Sequence, residues 1–144
     1  YDAITFQALD SQNVPIYHTN VMMCIGEEIA IICLDSIVEA EEKAKVTNSL
    51  KHDKKNILEI SQSQMHQFAG NMLELKGTNR QKLLMSLTAF ESLDEKQILE
   101  IEKFADIIHP NVPTIEKFGG GSVRCMVAEI YAPSKVKKST LDLI

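Results

Sequence analysis

Residues 117–129 read KFGGGSVRCMVAE. Three successive glycines cost backbone entropy on ordering, so their presence needs a reason. Glycine clusters mark loops where backbone passes close to another group. A cysteine just beyond one is either a small buried hydrophobe or a nucleophile. Glycines ahead of a reactive thiol let a planar group approach the backbone, whose N–H groups stabilise developing charge. VPTIEKF before the glycines and VRCMVAEIY after them read as strands.

Upstream, AITFQAL (3–9) alternates as a strand does, and DSQN follows as a turn. NVMMCI (20–25) and EIAIICL (28–34) read as a β-hairpin. Ser36 with Glu39 fits a capping box that opens a surface helix over 39–52, with Val46 and Leu50 on one face. NILEI (56–60) is a strand, and Ser61 with Gln64 caps a short helix in SQSQMHQF. MLELK and QKLLMS form a second hairpin across Gly77, Thr78 and Asn79. Thr88/Glu91 and Asp94/Gln97 are further cap pairs. After Asp94, the spacing of Ile98, Ile101, Phe104, Ala105 and Ile108 predicts a helix that ends at His109-Pro110.

The order strand, strand, helix, strand therefore occurs twice. Asn20 and Gly26 at the first hairpin match Asn71 and Gly77 at the second, 51 residues on. The same step from Asn71 lands on Ser122, inside the opening motif. Three equivalent strands then begin at HTNVMM, AGNMLE and GGSVRCM. Packed around a pseudo-symmetry axis, they bring His18, Asn71 and Cys125 to one central place.

The totals bound the function. The 144 residues are the size of one ordinary domain. Apolar content of 44% and charged content of 24% are those of a globular protein. A net charge of −5, with no basic stripe, argues against nucleic acid and against an anionic membrane as partners. The longest apolar run is broken by Glu27, Glu28 and Asp35, which disfavours a membrane span, and no signal-peptide pattern is present. Three widely spaced cysteines point to free thiols and a cytoplasmic location. The chain begins at Tyr1, directly in a strand-like stretch, as a piece of a longer protein would.

His18 and Cys125 are the candidate catalytic pair. A thiolate is the nucleophile, and an imidazole beside it shuttles protons. Cys24 and Cys33 sit in apolar hairpin strands and read as core. Gly121 is a candidate for close substrate approach. Asn20 and Asn71 either bind substrate or satisfy backbone groups where a strand begins. His52, His66 and His109 carry no evident role, and no metal-ligand spacing or phosphate loop is present.

HTNVMM, QFAGNMLEL and PTIEKFGGGSVRCMVAEI, in that order, resemble the guanidine-modifying (pentein) superfamily. This is the group of arginine deiminases, dimethylarginine hydrolases, agmatine deiminases and amidinotransferases, and the amidinotransferase-like members look nearest. The resemblance runs from Phe6 to about Tyr131. It implies an α+β fold of ββαβ units, a five-bladed α/β propeller of which this chain is about half. Residues 1–132 are then the C-terminal part of one catalytic domain and 133–144 a tail. It also implies that Cys125 attacks a guanidinium carbon and that His18 protonates the leaving nitrogen, then activates water or an acceptor amine.

The implied substrate is arginine, a citrulline-related compound or a similar guanidine, handled without a cofactor. The implied partners are the N-terminal half of the domain and a second copy in a homo-oligomer. Family members often carry an acid two residues after the histidine, where this chain has Asn20. An amide hydrogen-bonds a guanidinium without neutralising it, so binding leans on the other half, and the isolated half is expected to be inactive. The alternatives are a non-catalytic pentein-like binding module and a Cys–His hydrolase of another type, such as a peptidase.

Overall fold

The computed structural model describes residues 3–128. The fold is α+β, carried by two three-stranded sheets. In the first, β1 (Met23–Ile25) runs antiparallel to β2 (Ile29–Ile32), which runs parallel to β3 (Asn56–Glu59). In the second, β4 (Leu73–Leu75), β5 (Lys82–Leu84) and β6 (Asp106–Ile108) repeat the same order and the same pairing. A parallel pair needs a crossover, and helices supply it. Between β2 and β3 lies α2 (Ala40–His52); between β5 and β6 lie α4 (Leu87–Ser92) and α5 (Glu95–Glu102).

Why these residues form these elements is visible locally. β2 is IAII, buried along its whole length, as a central strand covered on both faces should be. In α2, Glu41 and Glu42 occupy the first turn and Lys51 and His52 the last, which suits the helix dipole. Its Val46 and Leu50 face the core. One continuous core joins both sheets, with Met22, Ile31, Ile32, Met72, Leu83, Met85 and Ile101 at its centre. Where the first hairpin turns, Glu74 of β4 accepts from the Glu27 N–H at 2.8 Å. A Cβ at Gly26 would lie 2.3 Å from the Glu74 carboxylate, so a side chain there would displace that carboxylate from its place at the Glu27 N–H.

Two capping boxes interlock. Ser61 and Gln64 cap α3 (Gln62–His66), and Asp94 and Gln97 cap α5, each with both reciprocal bonds in place. Gln64 Nε2 also donates to Gln97 Oε1 at 2.6 Å and to Ser92 O at 2.9 Å. Gln97 Nε2 donates to Glu59 O at 2.9 Å, at the end of β3. The caps therefore also bolt the two halves of the chain together.

Several expectations are corrected. Residues 3–9 form no strand; they make only isolated bridges, Ala8 to Ile37 and Leu9 to Pro15. The Gln7 N–H there is taken by the Glu42 carboxylate at 2.9 Å rather than by a neighbouring strand. Residues 19–22 open the first hairpin as a helical turn, α1 (Thr19–Met22), because the His18 side chain caps it. Ser36 is no cap: it is buried in a single 3-10 turn, its hydroxyl 3.2 Å from Cys33 Sγ and 3.4 Å from Met65 Sδ, and Glu39 is the N-cap of α2 without a side-chain bond. Ser86, not Thr88, caps α4.

The α5 helix stops at Glu102, and residues 106–108 pair with β5 as β6. The β-branched pair Ile107 and Ile108 satisfies helical spacing and strand propensity alike, and a buried parallel partner decides it. VPTIEKF is not a strand; it forms α6 (Pro113–Gly119), with Pro113 in the first turn, where a missing N–H costs nothing. Residues 123–126 form a 3-10 turn, so no strand starts at Val123 directly after the glycines. The end of that expected strand, the boundary at 132 and the tail 133–144 lie outside the described residues.

Replacing Gln97 by Ala removes one cap bond and the link to Glu59 together. It should cost about 1–2 kcal/mol, read as a lower denaturant midpoint in the intact protein. The loss should be less than additive with Gln64→Ala, since the two amides bond each other.

Candidate active site

A cavity of about 490 Å³ opens where α1, the segment after α3 and the glycine loop meet. His18, Asn20, Asn71, Gly121 and Cys125 all line it, so every sequence-predicted site residue faces one space. Tyr17, Val21, Met65, His66, Phe68 and Gly120 complete the lining.

Asn71 is the hub. Its side chain is nearly buried, 5% exposed. Nδ2 donates to Asn20 O at 3.2 Å and to Cys125 Sγ at 3.3 Å, while Oδ1 lies 3.7 Å from the sulfur, within reach of its S–H. The two readings of this residue thus coincide: it satisfies a backbone carbonyl and touches the thiol. Its position follows from the chain before it. Phe68 takes φ +66°, an uncommon left-handed conformation for a bulky residue, and the Asn71 N–H closes a turn onto Phe68 O at 2.8 Å. A Cβ at Gly70 would sit 2.3 Å from Val21 O, so only glycine lets this turn lie against α1.

His18 is held by its own turn. Nδ1 accepts from the Asn20 N–H at 3.0 Å, which assigns the proton of the neutral ring to Nε2. The Tyr17 ring stands edge-on to it, centroids 6.5 Å apart, and Tyr17 is 83% exposed. Among the described residues no hydrogen bond joins His18 to Cys125; the open cavity lies between them.

The glycine loop now has an account. Gly120 takes φ +68° as the left-handed cap of α6, a conformation that favours glycine. A Cβ at Gly121 would lie 2.8 Å from Cys125 Sγ and 3.1 Å from its Cβ. The thiol occupies the space that a side chain at 121 would fill.

The three cysteines divide by environment. Cys125 is exposed, whereas Cys24 and Cys33 are buried. Burial pushes the Cys24 thiol up to about 11 from its ordinary 9.0, against a smaller opposing pull from the Arg124 charge. Among the described residues, the cavity lining holds amides, two imidazoles and a thiol, but no carboxylate. Among the described residues, no group of three His, Cys, Asp or Glu side chains is placed to hold a metal. Nor is any helix there long and apolar enough to cross a membrane.

His66 and Tyr17 were not singled out by sequence. His66 enters through a bond to Ser11, Nε2 to Oγ at 3.2 Å, between residues 55 apart, and no local pattern signals such a pairing. Gly70 had a usable signal: it is a glycine directly before an asparagine already under suspicion.

Residues 1–132 match the family model for eukaryotic N,N-dimethylarginine dimethylhydrolase. No curated protein matches the chain in sequence. Among solved structures, the fold is similar to the apo structure of ArgZ, an arginine dihydrolase from the ornithine-ammonia cycle in cyanobacteria. The TM-score is 0.62 at 13% identity, over 85% of this chain and 17% of that one. The chain thus spans about a sixth of the length of ArgZ, and at this identity the likeness is one of fold.

Iodoacetamide on the native protein should label Cys125 and leave Cys24 and Cys33 untouched, as mapped by peptide mass. Gly121→Ala should slow that labelling several-fold, because its methyl group and the sulfur compete for one space. Cys24 also gives a pH signature. Its folded-state value is raised, so its contribution is fully present below about pH 9 and is lost as pH climbs towards 11, where the unfolded chain releases a proton that the folded one keeps. The loss is at most about 2–3 kcal/mol, and Cys24→Ala should flatten the fall in denaturant midpoint across that window.

Proposed function

This chain belongs to the N,N-dimethylarginine dimethylhydrolase family of guanidine-modifying, pentein-superfamily enzymes, and on that premise we propose that it is the C-terminal part of a catalytic domain that cleaves a guanidino group of an arginine-type substrate. The observation that carries the reading is Cys125. Its thiol is exposed, cleared by glycine on one side, held by Asn71 on the other, and shares one cavity with His18. The repeated order and pairing of the two sheets support the finer proposal of about half of a five-bladed propeller.

In the proposed reaction Cys125 Sγ bonds to the guanidinium carbon, the carbon–nitrogen bond to the leaving amine or ammonia breaks, and the thiol proton ends on that nitrogen. His18 relays it. The product is a cationic thioether on Cys125; water or an amine then bonds to its carbon while His18 takes a proton from the attacking atom, and the carbon–sulfur bond breaks to release Cys125. Membership of a hydrolase family favours water over an acceptor amine. The relay requires His18 to leave its resting tautomer. While Nδ1 accepts from Asn20, Nε2 already holds a proton and can donate a hydrogen bond but accept no proton. Opening that cap bond when substrate enters is part of the proposed cycle.

Asn71 has both Nδ2 hydrogens committed, so its role here is to hold the nucleophile, and Asn20 is the amide left to meet substrate. Gly120, with open space where a Cβ would lie, gives a planar guanidinium room beside the backbone, and Gly121 leaves the sulfur room to meet it. Among the described residues no carboxylate lines the cavity, which supports assigning the cation's counter-charge to the N-terminal half of the domain as the essential partner, with this part alone inactive. A homo-oligomer, a cytoplasmic location and the absence of a cofactor go with this reading. The same carboxylate-free lining favours, as second reading, a non-catalytic module that binds a metabolite.

Cys125→Ala in the intact protein should abolish turnover of guanidine substrates and leave thermal unfolding unchanged; turnover that survives the change sinks the reading. Chloroacetamidine, a guanidinium-like alkylator, should modify Cys125 faster than iodoacetamide does, with arginine or citrulline protecting it. Equal rates with both reagents would move the binding-module reading ahead.

A further inference from the structure

We propose that Glu116 is a positioning residue for the nucleophile, clamping the glycine loop that carries Cys125 against α4. Its carboxylate uses both oxygens on hydroxyls from opposite sides. Oε1 accepts from Ser122 Oγ at 2.7 Å, and Oε2 accepts from Thr88 Oγ1 at 2.6 Å. Ser122 is fully buried and begins the 3-10 turn on which Cys125 sits, while Thr88 belongs to α4. No ion pair to Glu116 occurs among the described residues. Hydroxyls donating to a carboxylate make short, directional bonds, which suits a clamp better than a charge pair.

The need for a clamp follows from the glycines themselves. Gly121 cannot carry a side chain without striking the Cys125 sulfur, and Gly120 already sits at φ +68°. Residues 119–121 therefore have no side chains with which to anchor themselves, and an unanchored glycine run is the loosest backbone available. The restraint must come from its ends. Glu116 lies at one end in α6, Ser122 at the other, and their bond closes the loop into a ring. Thr88 fixes that ring to the body of the domain. A small displacement of a reacting atom costs rate much more than it costs binding.

The role as clamp to a catalytic thiol rests on the reading of Cys125 given above, and the test separates the two. In the intact protein, Glu116→Ala should lower kcat for guanidine turnover by about 10- to 100-fold with KM within about twofold. Ser122→Ala should behave alike, and the double variant should be no worse than either single one. Glu116→Gln, which keeps an acceptor oxygen, should recover part of the loss. Hydrogen exchange at the Cys125 and Val127 amides, bonded to Ser122 O and Arg124 O, should quicken while β2 is unaffected.

If the unaltered protein turns over no guanidine, the functional reading fails by itself. The clamp is then judged on hydrogen exchange and on whether the Glu116 and Ser122 effects on Cys125 alkylation are shared. Should Glu116→Ala not fold, Thr88→Ala, which severs only the α4 end, takes its place in the same measurements. Unchanged kcat and exchange in the folded variant, or strictly additive effects of Glu116 and Ser122, would overturn the proposal.

Discussion

The site depends on one primary amide with two N–H groups to give. Asn71 Nδ2 gives one to a carbonyl 51 residues upstream and the other to a sulfur 54 residues downstream. No other described side chain touches all three segments of the cavity in this way. Leaving such a donor buried and unmet would cost about 1–3 kcal/mol, so the bonds select an arrangement as much as they strengthen one. The rest of the neighbourhood serves this placement. Gly70 removes the side chain that would hold the turn away from α1, and Phe68 accepts an uncommon backbone angle to aim it. Gly121 leaves the sulfur room to meet the amide.

What was legible in the sequence shares a physical character: signals whose partner lies a few residues away. Ser61 with Gln64 and Asp94 with Gln97 are complete within one turn, and both are capping boxes as read. Both hairpins form, though the first strand begins only at Met23. Ser36/Glu39 has the same spelling and fails. A hydroxyl at that position finds sulfur partners in the core instead, one of them Met65, 29 residues away. The segment 113–119 shows the opposite error. TIEKF has strand-like composition, yet Pro113 removes a donor just where a helix can spare it, and Glu116 has a partner in α4 that no local pattern reveals. The convergence of His18, Asn71 and Cys125 was legible for a different reason. It came from a repeated spacing, and repetition carries long-range geometry that propensity does not. The first two strand starts, so derived, were nearly right, and the third was wrong, because the glycine loop leads into a 3-10 turn that presents its thiol from a bend.

The same side chain has three fates here, and packing decides among them. Cys33 lies under the core beside the Ser36 hydroxyl, and Cys24 is buried in β1 with its thiol pushed towards the neutral form. Cys125 alone reaches solvent and a polar amide. Composition counts three equal thiols. The chemistry follows from burial, which penalises the charged form of Cys24, closes Cys33 off from solvent and leaves Cys125 accessible.

A guanidinium keeps its charge at any physiological pH, and removing it from water without a carboxylate is expensive. The lining offers amides, imidazoles and a thiol, groups that orient a cation but do not neutralise it. Within the reading of a guanidine enzyme, the machinery is therefore divided by chemistry as well as by sequence. On the proposed reading, nucleophile and proton relay lie here, with no carboxylate lining their cavity among the described residues, and the counter-charge is assigned to the other half of the domain. The supports of the nucleophile are neutral where they meet the sulfur, through Asn71 and glycine. Glu116, a carboxylate in the loop's framework, is turned onto two hydroxyls instead.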